Sequence, residues 1–129
     1  MANATNKEQA LHRFWSSFDL TAYDESTVPT GDNAPPFPYI TYNVVTDSIG
    51  DPVALTASVW YRSSSWADVT EKAESIGKEI GLGGKLIPYD NGALWIKRGT
   101  PFAQRMADES DDMVRRIYLN VEAEFISAD

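Results

Sequence analysis

Residues 113–126 alternate apolar and polar side chains almost without a break, and this pattern constrains the fold more than any other in the chain. Met113, Ile117, Leu119, Val121, Ala123 and Phe125 share one parity, while Arg116, Asn120, Glu122 and Glu124 share the other. A two-residue period belongs to a strand with one face in the core and one in water. At about 3.3 Å per residue such a strand spans roughly 45 Å. A compact domain of this length has a diameter of only about 35 Å. Part of the strand is therefore expected to project beyond its own domain, with Arg115 and Arg116 at its near end. A projecting strand suits a protein joined to copies of itself or to a neighbour.

The rest of the chain supplies the partners of that strand. Thr5-x-x-Glu8 has the form of a capping box, and Ala10, Leu11, Phe14, Trp15 and Phe18 then recur at helical spacing. Residues 19–38 turn to Pro, Gly, Asp, Ser and Thr, with Pro29, Pro35, Pro36 and Pro38 blocking regular structure, and read as a long loop. Two alternating runs, 39–46 and 53–62, flank turn-forming residues at 47–52 and predict a hairpin. Ser65 and Asp68 supply a second capping pattern, and Trp66, Val69, Ala73, Ile76 and Ile80 form one helical stripe before Gly81, Gly83 and Gly84 stop it. Asp90-Asn91-Gly92 between 85–89 and 93–98 predicts a second hairpin. Residues 99–112 read as a second polar loop. The order α-ββ-α-ββ-β predicts a single α+β domain over residues 1–129: an antiparallel-rich sheet of about five strands with two helices packed on one face.

Composition narrows the function. The chain has 129 residues, enough for a core without staples, and no cysteine, so disulfides and thiolate metal sites are excluded. A net charge of −8 argues against a surface that grips phosphates, although such a protein can still surround DNA. No apolar run approaches a membrane span, and the opening MANATNKEQ lacks the features of an export signal, so a cytoplasmic product is expected.

Candidate chemistry is thin. Gly81-Leu82-Gly83-Gly84-Lys85 follows a helix and precedes a strand, the reverse of a phosphate-cradling loop. His12, the only histidine, has no flanking spacing that suggests a triad, and Ser63, Ser64 and Ser65 lie where a helix cap is needed. Asp108, Glu109, Asp111 and Asp112 crowd one loop but lack the spacing of a calcium-binding loop. Glu122 and Glu124 share the wet face of a strand. No catalytic residue, cofactor or metal is expected. Trp60 falls on the opposite parity from Val53, Leu55 and Val59 and reads as an interface aromatic or a lid over the sheet.

Four segments carry a resemblance: Phe37-Pro38-Tyr39-Ile40-Thr41-Tyr42, Ala54-Leu55-Thr56-Ala57-Ser58-Val59-Trp60-Tyr61, Gly92-Ala93-Leu94-Trp95-Ile96-Lys97-Arg98 and Arg115-Arg116-Ile117-Tyr118-Leu119-Asn120-Val121. They resemble a small protein of the tail-assembly regions of long-tailed phages and prophages of Gram-positive bacteria, of the tail-terminator or tail-completion type, akin to head-tail joining proteins. The resemblance implies a non-enzymatic subunit that forms a ring, usually hexameric, on the end of the tail tube. That ring would stop tube growth and meet the head connector, while DNA passes through without specific binding; its place is the host cytoplasm during assembly and then the virion tail. A head-tail stopper, a small ligand-binding α+β domain and an adaptor module are the alternatives. On the ring reading, Arg98, Arg105, Arg115, Arg116 and Trp60 are expected at subunit interfaces. Asp108, Glu109, Asp111 and Asp112 are expected to face the channel, where like charge keeps DNA from sticking.

Overall fold

The computed structural model describes residues 6–44 and 52–127. Two helices, α1 (Lys7–Trp15) and α2 (Ala67–Ile80), accompany strands β1 (Thr21–Asp24), β2 (Tyr39–Tyr42), β3 (Val53–Arg62), β4 (Lys85–Tyr89), β5 (Gly92–Met106) and β6 (Val114–Ser127). The six strands form one sheet in the order β1-β2-β3-β6-β5-β4, antiparallel except for the β1-β2 pair. The fold is mixed α+β, with six strands in place of about five.

Hydrophobic periodicity builds the core as expected. Ala10, Leu11, Phe14, Trp15 and Phe18 are all buried, as are Val69, Ala73, Ile76 and Ile80 of α2. They join Leu55, Ala57 and Val59 of β3, Leu94 and Ile96 of β5, and the odd-numbered residues Ile117–Phe125 of β6 in one cluster. Burying a single Val, Leu, Ile or Phe side chain contributes about 1.5–3 kcal/mol. Register follows from that alternation, since a one-residue slip would carry the whole apolar set into water.

The caps differ in detail. Asn6 caps α1, accepting the Gln9 N–H at 2.8 Å, one residue later than the Thr5 box, which lies outside the described residues. Before α2, Ser65 Oγ accepts the Ala67 N–H at 3.0 Å, while Asp68 sits inside the helix. Gly81 ends α2 at φ 74°, as its glycine predicts. The expected turn at 47–52 lies almost wholly outside the described residues.

Three expectations are corrected. The loop at 19–38 contains β1, paired parallel to β2 with Thr21 opposite Tyr39, and a 3₁₀ turn at Gly31–Asn33. The polar loop at 99–112 is mostly strand: β5 runs on to Met106 after a bulge, for Arg98 pairs with Val121 and Ala103 with Leu119, leaving residues 99–102 opposite Asn120 alone. Asn120 Nδ2 holds the bulge by donating to the Pro101 carbonyl at 3.0 Å. Finally, β6 does not project unpaired. β3 covers Val114 to Ala123 on one side and β5 covers Arg116 to Ser127 on the other, so a long neighbour absorbs its length.

The β4-β5 turn is built from Asp90 and Asn91, with Asn91 at φ 68°, and Gly92 already pairs with Ser127. Glycine is required there by close approach: an added Cβ would lie 2.2 Å from the Ile126 carbonyl oxygen.

Candidate functional site

Strand alternation divides the expected interface residues between the faces of the sheet. Arg98, Arg105 and Arg115 share the parity of Ile96, Ile117 and Leu119, the face that carries the core. Arg116 and Trp60 pair with each other on the opposite face.

On the core face, β5 leaves β4 after Ile96 and continues alongside α2. The facing residues of α2 are small: an added Cβ on Gly77 would meet the Phe102 ring at 3.1 Å. A cleft of about 470 Å³ remains between the two elements, floored by Ala73, Gly77, Phe102 and Ile117. Lys78, Arg98 and Arg105 stand around it with one carboxylate, Glu74. Thr70 Oγ1, also on the lining, is buried with no hydrogen-bond partner among the described residues. At one end Trp66 lies under both Arg105 and Arg115, whose guanidinium carbons are 4.7 and 5.4 Å from the ring centroid. Arg115 also donates to the Asp112 carbonyl at 2.6 Å and the Ser64 carbonyl at 3.4 Å, and its buried Nε has no hydrogen-bond partner among the described residues. Its inward parity is thus accommodated by an aromatic face and backbone oxygens at the core margin.

On the opposite face Trp60 stacks on Tyr39 with centroids 5.9 Å apart and planes at 14°. Its Nε1 donates to Thr41 Oγ1 at 2.9 Å, and Arg116 Nε donates to Ser58 Oγ at 2.9 Å. The Arg116 guanidinium lies 4.5 Å from the Trp60 centroid and 5.5 Å from that of Tyr118. Tyr23 and Phe37 extend the cluster, packing on Tyr39 at 6.1 and 5.4 Å. Trp60 is half-buried, and Thr41 and Ser58 beside it are buried. Burial pushes the Tyr39 hydroxyl pKa up, Arg116 opposes that shift and Asp108 adds to it.

The acidic turn after β5 uses two of its carboxylates to hold its own shape. Asp108 accepts from the Ser110 hydroxyl at 2.7 Å and the Ser110 N–H at 2.8 Å, which holds its pKa low. Asp111 accepts the Met113 N–H at 2.9 Å and, at 2.9 Å, the Arg62 Nε–H, with the same effect on its pKa. Glu109 and Asp112 are exposed. Among the described residues, no three His, Cys, Asp or Glu side chains are grouped to hold a metal ion.

Spacing had suggested no partners for His12, yet its Nδ1 lies 3.0 Å from the Tyr42 hydroxyl and its Nε2 3.3 Å from Ser16 Oγ. The i, i+4 spacing of His12 and Ser16 was the available signal; Tyr42 arrives only through tertiary packing. His12 and Ser16 are exposed on α1, whereas Tyr42 of β2 is buried. Glu122 and Glu124 pair across the strands with Lys97 and Trp95. The chain matches no protein-family model, no curated protein and no solved structure.

Proposed function

We propose that this protein is a structural subunit of a long-tailed phage or prophage, forming a ring, most simply a hexamer, that terminates the tail tube and helps join tail to head. The observation that carries the reading is the division of the arginines between two unlike surfaces, an arginine-lined cleft on one face and an aromatic patch around Arg116 on the other. A ring subunit needs unlike surfaces, because head-to-tail contacts join different patches and close by rotation. The tube and the connector need further surface beyond that. Arginine beside aromatic rings is also the composition enriched at binding hot spots.

In this reading the cleft and the aromatic patch meet neighbouring proteins. Glu109 and Asp112, the carboxylates not engaged in shaping their turn, face the channel. DNA passes without being held, a reading that the net charge of −8 supports. A head-tail stopper would use the same surfaces. A small ligand-binding domain is the second reading, favoured by the cleft of about 470 Å³, a volume within the range of small-molecule sites.

The test is tail length. Removing the gene from its phage should give tubes that overrun their normal length and carry no heads, and supplying the protein should restore both. Tubes of normal length without it would contradict the proposal.

A further inference from the structure

The sheet has two unlike edges: cations outnumber the one carboxylate, Glu74, in the cleft beside the β5 edge, whereas carboxylates flank β1. β1 is one edge, paired among the described strands only to β2. The other edge is divided, because β4 covers β5 only from Gly92 to Ile96. Among the described residues, 103–106 of β5 pair with β6 alone and are all exposed, so no described strand lies along the other side of their backbone. Lys78, Arg98 and Arg105 stand beside this free edge. The chain has no Lys or Arg between Arg13 and Arg62, whereas Asp19, Asp24 and Glu25 flank or end β1. The four residues of β1, Thr21–Asp24, match the length of the free edge.

We propose that the free edge of β5 at residues 103–106 is the docking site for β1 of a second copy, so that successive subunits share one continuous sheet. This rests on the ring reading above. Main-chain hydrogen bonds between the edges supply affinity, as in other strand additions. The acidic flank of β1 then meets Arg98 and Lys78, which selects this edge over others. Because the edges lie at opposite ends of the strand order, the contact is head-to-tail and can close into a ring.

The chain has no cysteine, so engineered thiols report without background. Thr21→Cys and Gln104→Cys, prepared separately, mixed, assembled on tail tubes and oxidised, should give a mixed Thr21–Gln104 disulfide well in excess of either homodisulfide. Charge reversal supplies a second reading of the same contact. Arg98→Glu and Glu25→Lys should each raise the concentration for half-assembly about tenfold, and the double variant should recover most of that loss. Circular dichroism and melting of each variant monitor folding.

Rings that assemble from all these variants as well as from wild type, without mixed disulfide, overturn this inference and leave the ring reading standing. A dominant Gln104 homodisulfide overturns it in favour of a two-fold pairing of β5 edges. Wild-type protein that neither assembles nor caps tubes overturns both.

Discussion

Arg115 and Arg116 are adjacent in sequence, and alternation sends them to opposite faces with different work. Arg116 is a planar donor held between Trp60 and Tyr118 with its Nε on Ser58. Lysine keeps the charge but loses the planar stack and the Nε bond. Arg116→Lys should therefore lower stability by about 1 kcal/mol in denaturant unfolding, and an unchanged midpoint would show that the stack contributes nothing. The acidic turn gives a second prediction at this scale. Asp108 is held low chiefly by the Ser110 hydroxyl and N–H, and Asp111 by the Met113 N–H and then Arg62. A depressed folded pKa means these bonds support the turn above the unfolded value of about 3.9 and are lost as pH falls through the lower folded value. The Ser110 and Met113 amide resonances should shift together as pH falls below about 4, while core amides such as Leu119 hold steady. Movement of those resonances only near neutral pH would contradict the assignment.

At the scale of elements, β4 shows how an edge is closed. Tyr89 pairs with Gly92 across a turn of Asp90 and Asn91, so the next position, Pro88, directs its missing N–H away from β5. Proline thus interrupts the outer edge of β4, while residues 103–106 of β5 carry no such block. Pro88→Val should restore an edge donor and add self-association beyond that of wild type, seen as larger species in light scattering; no added association would show that another feature protects β4. Both helices, the hairpins and their facing residues were legible in the sequence because their hydrophobic periods are local. β1 was not, because its pairing with β2 joins Thr21 to Tyr39 across a proline-rich connection and only Ala22 of its residues is buried. The second half of β5 escaped for a related reason: the bulge breaks the alternation, and Ala103, Gln104, Arg105 and Met106 are all exposed, so no burial pattern marks them as strand. The residues expected at interfaces show the same division. Parity separates Arg115 from Arg116 in the sequence itself. The placement of Trp66 beneath Arg105 and Arg115, and the pairing of Asp111 with Arg62, depend on distant segments that no local spacing encodes.

At the scale of the molecule, one core fixes two faces and two edges whose chemistry differs. Carboxylates flank β1 while Lys78, Arg98 and Arg105 stand with Glu74 beside β5, a difference that a head-to-tail contact can use. Association through exposed charges should weaken as salt rises and the Debye length falls from about 10 Å at 0.1 M to about 3 Å at 1 M. The most direct test of the account is electron microscopy of this protein bound to the end of a tail tube, with the bound mass measured in parallel. A closed ring, hexameric in the simplest case, with every subunit in the same head-to-tail relation to the next, is the predicted result. A single copy or a two-fold pair at the tube end, or no binding there at all, would contradict it.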